Sequence, residues 1–169
     1  HPAVGGSYVN AIAATSSAVY VGGLIGAGNG VIRKNLAAFR TSGQLLAWAP
    51  TTDLQVDAMV LTPHNDKLIV GGRFALVNGV SQRGLVALDM NDGSILPWIA
   101  PSVVKNGWNE DPYSGKAGIY SLSADANAIY GTGWVYANAT VGNLEGAFFG
   151  DPDTGAIKWL DDCHGDTYS

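Results

Sequence analysis

Gly84-Leu85-Val86-Ala87-Leu88-Asp89-Met90-Asn91-Asp92-Gly93-Ser94-Ile95-Leu96-Pro97-Trp98 is an apolar run, a polar turn ending in glycine, and a second apolar run that closes on tryptophan. Asn91-Asp92-Gly93 between two such runs predicts a hairpin, because Asn, Asp and Gly tolerate the positive φ of a tight turn. The same arrangement occurs before it, from Asn35 through Ser42-Gly43 to Trp48, and after it, from Gly146 through Asp153-Thr154-Gly155 to Trp159. The chain is therefore built of repeats.

Each hairpin is preceded by two further strand-like segments. They are Val9–Ala14 and Ala18–Gly23 in the first copy, Val56–Leu61 and Leu68–Phe74 in the second, and Ile119–Ser123 and Ala128–Gly133 in the third. Gly26–Lys34 reads as a polar, glycine-rich connection. Gly23 and Gly72 lie 49 positions apart and Trp48 and Trp98 lie 50 apart, whereas both intervals to Gly133 and Trp159 are 61. The extra residues fall in one insertion at about 99–118. Four short strands in a repeat of about 40–50 residues is the pattern of a β-propeller blade. The expected fold is all-β: three four-stranded antiparallel blades over about 9–53, 54–116 and 117–169, forming one partial propeller domain. Trp48, Trp98 and Trp159 are expected to dock successive blades by burying large rings at fixed intervals. Gly23, Gly72 and Gly133 mark bulges or close backbone approaches. Closed propellers carry four to eight blades. Three blades imply either further blades on the same polypeptide, to a total of six to eight, or closure by a second copy.

Apolar residues make up 47% of the 169 residues and charged ones 14%, which suits a packed core. Twenty-three glycines among abundant Val, Ile, Tyr and Trp favour short strands and many turns. A net charge of −5 without a basic cluster argues against nucleic acid as partner. No apolar run is long enough to span a membrane as a helix. The chain opens at His1-Pro2 and ends at Thr167-Tyr168-Ser169, which, with one unpaired Cys163, suggests a processed or excised segment.

Val70-Gly71-Gly72-Arg73-Phe74, Asn78-Gly79, Gly84–Asp89 and Asp92–Trp98 together resemble the delta-60 repeat β-propellers of secreted and surface bacterial proteins. The likeness covers nearly the whole chain and is best in the second copy. Arg40 departs from it in the first copy, and Gly131 and Thr132 depart in the third. The resemblance implies an extracellular or cell-surface protein with a binding or scaffolding part and no catalytic motif. The hairpin at Asp151–Trp159 is also similar to the repeats of pyrroloquinoline-quinone dehydrogenases. That likeness implies a propeller and brings no recognisable set of quinone ligands.

The insertion carries Trp108 and Tyr113 among Asn106, Asn109 and Asp111. Rings that stack beside amides and carboxylates that orient suit a sugar or peptide ligand, and inserted loops on rigid scaffolds often carry function. The plainer reading is a loop that covers the propeller face. Asp161-Asp162-Cys163-His164-Gly165-Asp166 gathers possible metal ligands but matches no zinc spacing. For Cys163 the open readings are a disulfide to polypeptide outside this sequence, a buried thiol, or metal. Asp89–Gly93 resembles a calcium loop without its downstream glutamate, so a turn explains it. Asn138-Ala139-Thr140 is a glycosylation sequon. His1 and His64 read as solvated. No cofactor is required, with calcium or pyrroloquinoline quinone as the alternative. Three functions are open: a non-catalytic extracellular module binding glycan or protein, part of a propeller enzyme (a quinoprotein or a glycan-active hydrolase or lyase), or a structural surface protein.

Overall fold

A computed structural model describes residues 3–135 and 142–162. These residues form an all-β fold of antiparallel sheets that follow one another along the chain. The first sheet comprises β1 (Val4–Ala14), β2 (Ala18–Gly28), β3 (Val31–Ile32) and β4 (Leu36–Arg40), with β2 pairing all three others. The second comprises β5 (Val56–Leu61), β6 (Lys67–Gly72) and, after the small ribbon β7 (Leu76–Val77) and β8 (Val80–Ser81), the strand β9 (Leu85–Asp89). The short helix α1 (Ala100–Val103) opens the insertion. The third sheet is the four-stranded meander β10 (Ala117–Ala124), β11 (Ile129–Val135), β12 (Gly146–Gly150) and β13 (Ile157–Asp162). The insertion thus ends at Lys116, before β10 begins at Ala117.

Gly26–Lys34 is not the loop that its polarity suggested. β2 runs on through Gly28 and turns at Asn29-Gly30 into β3, with φ of 46° and 81° at the two turn residues. That is the positive-φ pair of a tight hairpin.

The fourth strand differs between the units. In the first two it shrinks to single bridges, Phe39↔Leu45 and Leu88↔Ile95, whereas β13 pairs along its whole length. The cause is the tryptophan. Trp48 and Trp98 leave the ladder to reach the next sheet, where Trp48 Nε1 donates to Asp89 O (2.8 Å) and Trp98 Nε1 to Pro152 O (3.2 Å). Trp159 stays within β13, stacked 6.2 Å from Phe149 and 48% exposed.

The first strands stand side by side, β1 against β5 and β5 against β10. Strand alternation then sends successive side chains of each sheet to opposite neighbours. Leu68 and Val70 of β6 pack with Tyr20, Ala38 and Trp48 of the first sheet. Ile69, between them in sequence, packs with Trp98, Ile129 and Phe148 toward the third. A strand buried on both faces explains why Leu68-Ile69-Val70 is a continuous apolar run at 0% exposure.

The turn glycines Gly43, Gly93 and Gly155 occupy equivalent positions with φ of 90°, 78° and 75°. A Cβ on Gly93 would lie 2.7 Å from Pro50 Cδ, two residues beyond Trp48. Gly93→Ala is expected to lower stability by about 1–3 kcal/mol in urea unfolding, from φ strain plus overpacking. Gly79 has φ of 77° and nothing within 4 Å of its Cβ position, so Gly79→Ala isolates the backbone strain and should cost less. Equal losses at both sites would show that the docked turn adds nothing.

The turn of the third unit is held by a carboxylate. Asp151 accepts the Thr154 and Asp153 N–H groups at 3.0 Å each and pairs with Lys158 at 3.1 Å. The Thr154 N–H first, then Lys158, hold its pKa down at about 2, from an ordinary 3.8. A depressed carboxylate stabilises the fold fully above its unfolded value and loses that contribution as pH falls through the folded one. Melting temperature is therefore expected to fall between about pH 4 and 2, with Asp151→Asn flattening part of the drop. An unchanged profile in that variant would remove Asp151 from the account.

Candidate functional site

The first strands of the three sheets share one irregularity. The register breaks between Val9 and Ala11 in β1, between Val56 and Ala58 in β5, and between Ile119 and Ser121 in β10. Asn10, Asp57 and Tyr120 are the extra residues of these bulges, and a bulge re-aims the side chain it carries. Across from the bulges sit Gly23, Gly72 and Gly133, paired with Val9, Val56 and Ile119. A Cβ would fall 2.3 Å from Tyr8 O at Gly23 and 2.4 Å from Gln55 O at Gly72. At Gly133 the nearest atom is Asn106 Nδ2, at 2.6 Å.

The bulges line a cleft of about 600 Å³ with Tyr8, Gln55, Arg73 and Ser121 around them. Its floor is Asp57, whose side chain is 8% exposed. Oδ1 of Asp57 accepts from Gln55 Nε2 (2.5 Å) and Asn10 Nδ2 (3.2 Å), and Oδ2 accepts from Arg73 Nε (3.0 Å). Asn10 Nδ2 also donates to Val56 O at 3.0 Å, which ties the first sheet to the second. Arg73 lies 5.2 Å over the Trp134 ring, so its guanidinium is fixed from two sides. Tyr8 and Tyr120 are 50% and 41% exposed at the cleft.

The insertion is organised differently from its sequence reading. Trp108 and Asn109 do come together, with Ser81, Arg83 and Glu110, around a smaller cleft of about 170 Å³. One face of Trp108 is already occupied by Arg83, 4.2 Å from the ring centroid, and Arg83 Nε donates to Gly107 O at 2.6 Å. Burial pulls the Arg83 pKa below its usual value, with Glu110 opposing. Asn109 Nδ2 donates to Asp53 Oδ2 at 2.7 Å. Asp111 is exposed and Tyr113 half-buried, and neither borders this cleft.

Asn106 is the correction. It is 0% exposed and has no surface to offer a ligand. Its Nδ2 donates to Leu144 O (2.7 Å), Gly118 O (3.1 Å) and Trp134 O (3.4 Å), while its Oδ1 accepts the N–H groups of Asn143 and Leu144, both at 3.0 Å. It brackets the strands of the third sheet.

Asp89 Oδ1 accepts the N–H groups of Asn91 (2.7 Å) and Asp92 (3.1 Å), so the resemblance to a calcium loop corresponds to a hydrogen-bonded turn. Among the described residues no three His, Cys, Asp or Glu side chains gather as a metal site would require. Cys163, His164, Asp166, Asn138 and His1 lie outside the described residues. No helix among the described residues is long and apolar enough to cross a membrane.

Fold and cleft together define an all-β protein of tandem antiparallel sheets that meet at a polar cleft between their first strands. No family model matches the chain, and no curated protein does. Among solved structures it is similar to the computationally designed Ika8 protein, at 14% identity and a TM-score of 0.33. The likeness covers 95% of this chain and 63% of that one, so the chain spans less than two thirds of its length.

Proposed function

We propose that the three sheets are blades of a β-propeller, and that the propeller is a non-catalytic extracellular module that recognises a glycan or a protein. The observation that carries the architecture is the repeated docking. Trp48 reaches the turn of the second unit and Trp98 the turn of the third, each through its indole N–H. On the third sheet Tyr130, Phe149 and Trp159 form an open aromatic row with centroid spacings of 5.8 and 6.2 Å. Tyr20, at the position of Tyr130, instead lies under Trp48 and donates its hydroxyl to Met90 O at 2.9 Å. An open face of this kind fits a further blade, from the same polypeptide or from a second copy.

The extracellular reading follows from the resemblance to secreted repeat propellers, and the recognition reading from a polar cleft bordered by exposed aromatics. In the intact protein, native and denatured masses are expected to show either a longer polypeptide or associated copies. Trp159→Ala is expected to lower the melting temperature of that intact species or to release the associated copy. A lone monomer of this chain, indifferent to Trp159→Ala, would overturn the propeller. Chemical turnover of a bound glycan would overturn the non-catalytic part.

A further inference from the structure

We propose that the cleft between β1, β5 and β10, and not the insertion, is where the protein takes its ligand, and that the ligand is a neutral pyranose residue of a glycan. The inference rests on the recognition reading above and deepens it by giving that reading a site and a ligand class.

Charge comes first. Among the described residues Asp57 and Arg73 are the charged side chains of the cleft and they neutralise each other at 3.0 Å, so this lining selects neither anions nor cations. Hydrogen-bonding capacity comes next. Arg73 spends Nε on Asp57, and among the described residues its two terminal nitrogens have no acceptor. Asn10 spends its amide nitrogen on Val56 and Asp57, leaving its carbonyl oxygen as an acceptor. Asp57 has three donors on a carboxylate that can take about four. Fixed donors thus alternate with acceptors over a few ångströms, which suits hydroxyl groups, since each hydroxyl both donates and accepts.

Preorganisation is built in. Asp57 is clamped by groups from β1, by Gln55 and by Arg73, and Arg73 by Trp134. Little side-chain entropy remains to be lost on binding. The exposed ring of Tyr8 provides an apolar face for the C–H face of a sugar ring. A volume of about 600 Å³ holds one or two such rings. A protein partner would need a larger apolar anchor than this lining offers.

The test titrates the intact protein with methyl pyranosides of glucose, galactose and mannose, their neutral trisaccharides, and glucuronic acid, followed by saturation-transfer NMR and calorimetry. Wild type is expected to bind at least one neutral probe. Tyr8→Ala, at an exposed position, and Asp57→Asn are expected to weaken that binding tenfold or more, and Trp108→Ala to leave it within twofold. Loss in Trp108→Ala with retention in the other two would overturn the cleft and leave glycan recognition standing. Tighter binding of glucuronic acid would overturn the neutral class. Silence across all neutral probes would overturn the inference while leaving a protein ligand open to the wider reading.

Discussion

Trp48→Ala is expected to cost about 3–5 kcal/mol in urea unfolding, the range for deleting a large buried aromatic. The indole is 2% exposed, and it meets the Tyr20 ring edge-on at 5.1 Å and 80°. Truncation leaves a cavity between the first two sheets and removes one of two donors to Asp89 O, which keeps the Gly93 N–H at 3.0 Å. Trp48→Phe is the milder step, because it keeps a six-membered ring in place while losing the N–H and the rest of the pyrrole ring, for about 1–3 kcal/mol. Trp159→Ala in this chain alone should be close to neutral, since that ring is 48% exposed and already lies in the ladder. The contrast is the informative quantity. Two tryptophans alike in sequence differ by several kcal/mol when one is docked between sheets and the other lies half-exposed in a ladder. Similar losses for Trp48→Ala and Trp159→Ala would sink the docking account.

That contrast also shows where sequence reasoning succeeds and stops. The Asp92-Gly93 and Thr154-Gly155 turns were legible because a positive φ leaves few residue choices, and the strands because apolar runs of five or six residues sat between such turns. The Asn29-Gly30 hairpin carried the same signal, hidden among neighbouring glycines that made the segment read as loop. The bulges left a trace only on the partner strand, in Gly23, Gly72 and Gly133, and none at the extra residues themselves. Asn10, Asp57 and Tyr120 share a position but no chemistry, and an inserted residue looks like ordinary strand until the partner register is known. The cleft is therefore a property of three separate segments meeting, which no local pattern encodes. The insertion was legible in part for a related reason: Trp108 and Asn109 do border a small cleft, but the fold uses one face of that ring to seat Arg83 and the Asn106 amide to satisfy backbone.

Asn106→Ala is expected to cost about 4 kcal/mol, with the midpoint of urea unfolding as the readout. Five hydrogen bonds meet on this one side chain, and the backbone groups of Leu144 and Gly118 that it serves are deeply buried. A buried backbone group left without a partner costs about 1–3 kcal/mol, and alanine orphans several at once. No neighbour can move in cheaply, because the adjoining chain is pinned: a Cβ on Gly107 would lie 1.5 Å from Phe74 O. Asn106→Asp sharpens the test at nearly constant volume. It places an oxygen where the amide nitrogen faced three carbonyl oxygens, so it should destabilise at least as much as alanine despite filling the same space. A ligand-binding Asn106 would give the opposite pattern, with stability retained and ligand affinity lost. If both variants unfold near the wild-type midpoint, the bracket is not what holds the insertion against the third sheet.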